Sequence, residues 1–340
     1  FVMDDDDDAK DLAEQENFPL LAKDAATIHP SNPKVPGVTS NLDTDSGIAL
    51  SVANGLYRNF VIMSLAFSCN HGCVVSCLAY ATTELGNKLG GYGSGSLYIF
   101  YALTAFFLSK PIVSMVGPKN GLLLGVIGYC IYVGGFLFAI LVPAIAWPVF
   151  LISASIGGIA GGLLWPSQGR YFAKNAKLYA DNSSISVEKV NSTFAGVFAT
   201  SYLGFEMITK VLATLISLAF PSAAYYLIFS IYTVLAVSSC VVIAQFVSEL
   251  EEYGSWDFSV QAIFLHVGSA ANLIVRDVRL LLVVPFQISF GFTSSFVPYY
   301  ILGTVIAGSS NLGRYLLWIT TLPILFTGSM YCIIAHARSV

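Results

Sequence analysis

The sequence predicts an all-α polytopic membrane protein, from its composition and from the length of its apolar runs. Hydrophobic residues make up 56% of the chain and charged residues only 11%, and the mean hydropathy is +0.72. Soluble domains are about 45–50% apolar and about 25% charged, so this composition excludes an ordinary soluble domain. The apolar residues also come in runs of about 20, the length that an α-helix needs to cross a bilayer.

Eight such runs follow one another along the chain. Each is predicted to be helical, because an isolated span in lipid must satisfy its own backbone hydrogen bonds. The runs cover residues 60–81, 96–116, 121–142, 146–167, 193–219, 222–247, 279–305 and 315–335.

The basic residues predict the orientation of these spans, because cytosolic connections carry an excess of lysine and arginine. With a cytosolic N-terminus, only Lys88 and Arg314 fall on the outer side. The residues that then flank spans on the inner side are Arg58, Lys110, Lys119, Arg170, Lys174, Lys177, Lys189, Arg276, Arg279 and Arg338.

Residues 1–56 predict a disordered, acidic, cytosolic tail, since they hold a run of five aspartates and few aromatic residues. The tail contains ENFPLL, in which Glu16, Leu20 and Leu21 match the acidic dileucine pattern that adaptor complexes read. A working signal would send the protein to an endolysosomal or vacuolar membrane. The alternative is a chance match in an acidic tail, with the plasma membrane as destination.

The first span carries a cysteine every four residues, with a histidine among them. This spacing suggests a metal site, but small residues repeat beside the cysteines with the same spacing, and such a surface lets membrane helices approach closely. We therefore predict helix packing, with no metal ion and no other cofactor. The residues concerned are Cys69, Cys73 and Cys77, His71, and Ser68, Gly72 and Ser76.

The fourth span contains two overlapping GxxxG patterns, Gly157 with Gly161 and Gly158 with Gly162. These predict close contact with neighbouring helices. The span ends in LLWPSQGRYF, residues 163–172. There we expect Trp165 to lie at the inner interface, Pro166 to kink the helix, and Arg170 and Tyr171 to reach the lipid head groups.

The pattern LW-x-x-QG-x-Y at the end of this span resembles the uncoordinated-93-like family, a branch of the major facilitator superfamily. Its residues here are Leu164, Trp165, Gln168, Gly169 and Tyr171. Residues 96–125 and 276–300 resemble the second span and the entry to the seventh span of that family.

The resemblance implies a major facilitator-type bundle of twelve helices in two halves. The chain supplies about eight of these and begins at Phe1, so we expect it to be a fragment. Residues 57–247 would form the N-terminal six-helix bundle. Residues 248–278 would be a cytosolic linker that includes an amphipathic helix, and residues 279–340 would be the first two helices of the second half.

One motif departs from the superfamily. Many facilitators carry G-x-x-x-D-R-x-G-R-K between spans two and three, whereas this chain has SMVGPK, which keeps Gly117 and Lys119 but places Ser114 where the aspartate would stand. The departure weakens the expected gating network. In the resembling fold Arg170 lies beside this turn, so we predict a structural latch in which Gln168 bonds loop carbonyls and Arg170 meets phosphates.

Polar residues at membrane depth are candidate cavity or coupling groups, because each costs about 2.5 kcal/mol or more unless it is paired. They are Asn70, His71, Glu206, Lys210 and Gln287. Each also has a structural explanation: interhelical hydrogen bonds for Asn70 and Gln287, a satisfied buried histidine for His71, and mutual neutralisation for the Glu206–Lys210 pair.

Two functions remain open from the sequence. The first is secondary transport of a small solute or ion, which the buried charges and His71 favour. The second is a non-transporting scaffold that regulates the trafficking of receptors or the gating of ion channels, which the altered turn favours. We find no enzyme signature and expect no nucleic-acid partner; the expected partners are the bilayer, other membrane proteins and adaptor complexes.

Overall fold

The computed structural model describes residues 39–250, 259–297 and 300–301. Within these ranges every regular element is helical, which confirms the predicted all-α polytopic class. The chain divides into two compact units, Phe1–Asp45 and Ser46–Val340. Only helical residues of the first unit are described, so every contact below lies within the second.

The described residues form a series of α-helices, of which the first seven are joined by short connections. A π-helical turn, Thr104–Leu108, connects α2 to α3, and a 3-10 turn, Pro143–Ile145, precedes α5. The helices are α1 Thr39–Glu84, α2 Gly86–Leu103, α3 Ser109–Val116, α4 Pro118–Leu141, α5 Ala146–Ser183, α6 Val187–Ala219, α7 Ala224–Phe246, α8 Val260–Arg276 and α9 Val278–Phe296.

Seven stretches of the described chain are long and apolar enough to cross a membrane. They agree with the first seven predicted spans, and the predicted eighth, 315–335, lies outside the described residues. The stretches are Ala49–Glu84, Gly86–Val116, Pro118–Leu141, Pro143–Ser183, Val187–Ala219, Ala224–Phe246 and Val278–Phe296.

The prediction of a disordered tail up to residue 56 is wrong for residues 39–56, which are helical. The chain carries no charge between Asp45 and Arg58 and is largely apolar there, so the helix extends well before the first basic residue. Residues 1–38, with the sorting motif of Glu16, Leu20 and Leu21, lie outside the described residues.

Helix α5 also extends beyond its predicted span. It continues through Pro166 to Ser183, so the proline does not end the helix. The polar end of the fourth span therefore lies on the same helix as the glycines that pack it.

Helix α5 is the central packing element of the glycine contacts. A Cβ built on Gly158 would lie 2.3 Å from the carbonyl oxygen of Leu97 in α2, and one on Gly157 would lie 2.9 Å from the Tyr132 Cβ of α4. A Cβ on Gly162 would lie 2.6 Å from the Thr104 Cβ at the π-helical turn. The predicted close packing of this helix is confirmed.

Helix α1 uses its small-residue surface in the same way. A Cβ on Gly72 would lie 3.1 Å from the carbonyl oxygen of Phe205 in α6, and the Ser76 Oγ lies 3.0 Å from the Thr209 Oγ1. Cys73 and Cys77 are fully buried. The cysteine repeat of α1 therefore belongs to a helix-packing surface.

Two contacts attach the last described helices to α2 and the turn that follows it. The rings of Phe107 and Phe264 lie 6.2 Å apart, which places α8 against the π-helical turn. The Tyr98 hydroxyl donates to the Ser294 carbonyl at 3.0 Å and joins α2 to α9. Apart from such contacts α9 is largely exposed.

The glycine contacts yield a matched pair of variants. Gly158→Ala should destabilise the protein by about 1–3 kcal/mol, because the new methyl group meets backbone atoms that cannot rotate away. Gly196→Ala in α6 has nothing within 4 Å of the new Cβ, and alanine favours a helix. Thermal unfolding in detergent should show a large loss for the first variant and none for the second; equal stability of the two would contradict the packing described.

Candidate functional site

Four of the five polar residues predicted at membrane depth lie on two helices, two on α1 and two on α6. We call Asn70, His71, Glu206 and Lys210 the polar core. Asn70, His71 and Lys210 are buried, and Glu206 is half-buried.

Glu206 and Lys210 form the ion pair that their spacing predicts. They lie on successive turns of α6, and the Lys210 ammonium donates to the Glu206 carboxylate. The Lys210 side chain is only 4% exposed, whereas that of Glu206 is 20% exposed. The pair therefore neutralises itself within one helix, and its acidic member is the one nearer the surface.

His71 lies in a box of aromatic rings. Its ring centroid lies 5.3 Å from that of Trp165 and 5.8 Å from that of Tyr129. The Tyr202 hydroxyl lies within hydrogen-bonding distance of the His71 Nε2, at 3.1 Å. The His71 Nδ1 has no hydrogen-bond partner among the described residues.

Trp165, which is half-buried, packs against this cluster, a set of contacts that its predicted position near the inner interface did not include. Besides His71, its ring packs edge-on against Phe67 at 5.1 Å and Tyr202 at 5.8 Å. The sequence placed Trp165 by the end of the apolar run, but α5 continues beyond that point and turns this residue toward α1 and α6.

Asn70 makes the interhelical hydrogen bonds that its structural explanation requires. Its amide donates to the Ala236 carbonyl of α7 at 3.2 Å and lies 3.6 Å from the Cys130 Sγ of α4. The amide thus ties three helices together. Gln287, the fifth predicted residue, is exposed on α9, away from these two helices in the chain.

The predicted latch is present in part. The Arg170 guanidinium donates to the Ser114 hydroxyl at 2.9 Å, so Arg170 meets the turn between α3 and α4 through the residue that replaces the aspartate. Gly117 forms that turn with a φ of 80°, a conformation that favours glycine. Lys119 lies half-buried in the first turn of α4.

Gln168 behaves differently from the prediction, and Gly169 makes no close contact. Gln168 is buried, but its amide bonds no loop carbonyl within the described part of the chain. Gly169 is exposed, and a Cβ built there would meet nothing within 4 Å. The close contacts of α5 are made by the earlier glycines rather than by this one.

Tyr171 forms a contact that the sequence did not predict. It is fully buried, so its predicted position among the head groups is wrong. Its hydroxyl accepts from the Asn59 amide and donates to the Ser248 carbonyl at 2.9 Å, and the Ser248 N–H donates to the Asn59 Oδ1 at 2.7 Å. We call Asn59, Tyr171 and Ser248 the junction clamp, because they fasten the chain leaving α7 to α1 and α5.

Neighbouring residues strengthen the attachment of this segment. Val247 and Leu250 are buried on either side of Ser248. The Asn120 amide in α4 donates to the Glu249 carboxylate at 3.2 Å. The junction is thus held by three helices, through apolar burial and hydrogen bonds together.

The described residues contain no group of three His, Cys, Asp or Glu side chains placed to share a metal ion. Two shallow apolar depressions of about 430 and 460 Å³ lie on the outside of the bundle. The chemistry that the described part offers is therefore concentrated in the polar core and the junction clamp.

The Arg170–Ser114 contact can be tested by a double-mutant cycle. Arg170→Met and Ser114→Ala should each lower stability, and their effects should be non-additive by about 0.5–1.5 kcal/mol, because each removes the same hydrogen bond. Lys177→Met, which removes an exposed cation from the same helix, is the matched control. Strictly additive losses in thermal unfolding would show that the bond contributes nothing.

Comparison with known proteins agrees with the resemblance read from the motifs. Residues 83–335 match the family described as ion channel regulatory protein UNC-93. The chain is 27% identical to the UNC93-like protein 3 of Arabidopsis thaliana over 146 residues, which are 42% of this chain and 29% of that protein. It is 30% identical over 126 residues to an uncharacterized membrane protein of Schizosaccharomyces pombe, covering 34% of this chain and 24% of that protein.

The matched segments thus span less than a third of these curated relatives. The family match, in contrast, extends over well over half of the chain and includes the LW-x-x-QG-x-Y motif, the polar turn of Gly117 and the Glu206–Lys210 pair. The chain belongs to the UNC-93 family of integral membrane proteins.

Proposed function

We propose that this protein regulates another integral membrane protein, by controlling either its trafficking or its gating. The description of the family as ion channel regulatory protein supports a regulatory role. The partners that this role requires are membrane proteins within the same bilayer, together with the surrounding lipid.

The observation that carries the proposal is that the buried charge of Lys210 is already neutralised by Glu206. Lys210 is the buried cation of α6, and its partner Glu206 lies one turn away on the same helix. A coupling site for transport has to exchange a proton or cation during each cycle, and it needs groups that change partners. A pair neutralised within one rigid helix is better suited to holding α6 in a fixed position.

The altered turn supports the same conclusion. Ser114 meets Arg170 through a neutral hydroxyl, whereas the superfamily pattern would place a carboxylate at this position. The guanidinium supplies one charge to this bond, but the hydroxyl offers neither the second charge nor the second oxygen that a carboxylate would bring to a paired, bidentate contact. At position 114 the chain therefore lacks the carboxylate of the superfamily pattern.

Secondary transport is the second candidate, and one observation favours it. Glu206 keeps 20% of its side chain exposed and lies one turn from Tyr202, which contacts His71. A proton or cation arriving at this carboxylate would compete with Lys210. This exchange is the step that transport would need.

We further propose that Glu16, Leu20 and Leu21 bind adaptor complexes and direct the protein to an endolysosomal or vacuolar membrane, with the plasma membrane as the alternative. The proposal rests on the acidic dileucine pattern and on a cytosolic N-terminus, which the distribution of basic residues favours.

Substitutions of the charged pair separate the two candidate functions. Glu206→Gln should destabilise the protein by about 2.5–3.5 kcal/mol, because it leaves the Lys210 charge uncompensated in the membrane. Adding Lys210→Met should restore stability. Glu188→Gln, which removes an exposed carboxylate from the first turn of α6, should cost at most about 1 kcal/mol.

The double variant then decides between regulation and transport. Cells that lack the native protein will show altered surface abundance or conductance of the membrane proteins that it regulates. Expression of the double variant in these cells should restore both to normal. In proteoliposomes the pH dependence of solute flux should be the same for the double variant as for the unmodified full-length protein. A well-folded double variant that loses a pH-dependent flux present in the unmodified protein would overturn the regulatory proposal in favour of transport.

A further inference from the structure

Ser248 is held by its backbone while its side chain remains outside the clamp. The backbone N–H and carbonyl are both engaged, by Asn59 at 2.7 Å and by Tyr171 at 2.9 Å. The residue is nevertheless exposed, and its hydroxyl makes no hydrogen bond within the described part of the chain. An exposed hydroxyl thus lies on a firmly docked segment.

Acidic residues follow this serine in the sequence. The segment reads Ser248-Glu249-Leu250-Glu251-Glu252, with carboxylates one, three and four positions after the hydroxyl. A basic substrate groove recognises such a series through charge-assisted contacts. The pattern is therefore the chemical signature that an acid-directed serine/threonine protein kinase reads.

We propose that Ser248 is a phosphorylation site for an acid-directed protein kinase and that the junction clamp controls access to it. In the reaction the Ser248 Oγ forms a bond to the γ-phosphorus of ATP, and the bond from that phosphorus to the ADP oxygen breaks. The hydroxyl proton passes to the base of the kinase, and ADP leaves.

The clamp controls access because of what a kinase needs from its substrate. The serine and the residues on both sides must enter the kinase groove as an extended segment. Ser248 can do so only when its bonds to Asn59 and Tyr171 break and the buried side chains of Val247 and Leu250 leave the bundle. Phosphorylation therefore marks molecules whose junction has opened.

The phosphate also disfavours return to the docked state. It adds a charge of about −1.5 to −2 at neutral pH, next to Glu249, whose carboxylate accepts from Asn120 at 3.2 Å in the docked junction. The new charge repels this carboxylate and those of Glu251 and Glu252.

The test uses the purified full-length protein, an acid-directed kinase and ATP, with the initial rate of Ser248 phosphorylation measured by mass spectrometry. Tyr171→Phe and Asn59→Ala should each raise this rate about fivefold, which corresponds to one neutral hydrogen bond of about 1 kcal/mol. Ser248→Ala should abolish the signal, and Glu251→Gln should lower the rate.

Two controls keep the result decisive. Tyr179→Phe alters a half-buried tyrosine on the same helix that is outside the clamp, so it should leave the rate unchanged. A synthetic peptide of residues 244–256 measures how well the kinase reads the free sequence, and it should react faster than the folded protein.

Several outcomes would overturn the proposal. If the peptide is not phosphorylated, the kinase does not recognise the sequence around Ser248. Equal rates for the unmodified protein and the clamp variants would show that the junction clamp does not control access. An equal increase for Tyr179→Phe would show the same, because it would indicate that any substitution in this part of the bundle loosens the junction. Finally, cells that co-express the kinase and the full-length protein should yield the Ser248 phosphopeptide, and its absence there would contradict a junction that faces ATP.

Discussion

The bilayer interior offers no hydrogen-bond partner, so a polar group that this chain carries into the membrane is stabilised chiefly by other groups of the chain. The arrangement of α1, α6 and α7 follows from this constraint. Asn70 in α1 donates to a carbonyl of α7, and Tyr202 in α6 contacts His71 in α1, while Lys210 pairs with Glu206 within α6. The first two contacts require α1 to approach α7 and α6 to within side-chain reach.

Small residues, glycine and serine, allow the helix backbones to come this close. Gly72 in α1 lies against the backbone of α6, and Gly158 in α5 lies against the backbone of α2. Dispersion contacts and short interhelical hydrogen bonds are the forces that remain between helices in lipid, where burial of apolar surface gives little advantage. The glycine contacts and the polar core therefore depend on each other.

The sequence predicted the parts of this structure that depend on local patterns. Hydropathy located the first seven spans, and the four-residue spacing placed Glu206 and Lys210 on one face of α6. The overlapping GxxxG patterns predicted the tight packing of α5 because they too are properties of a single helix.

The errors of the sequence analysis concern contacts between distant residues. Tyr171 follows an apolar run and precedes a basic stretch, which is the pattern of an interfacial residue. Its burial depends on Asn59 and Ser248, which lie 112 and 77 residues away along the chain. The contacts of Trp165 were missed for the same reason, since its neighbours His71 and Tyr202 belong to other helices. Neither spacing nor hydropathy reports such partners.

We propose that Lys210 stays enclosed by its own bundle, as a structural group rather than an exchanging one. Reductive methylation of lysines in the folded full-length protein, followed by mass spectrometry, tests it most directly. Lys177 and Lys189 are exposed and should be modified completely, while Lys210 stays unmodified at every pH and ion composition at which the protein is folded. Modification of Lys210 at a rate comparable with that of Lys177 would contradict the account.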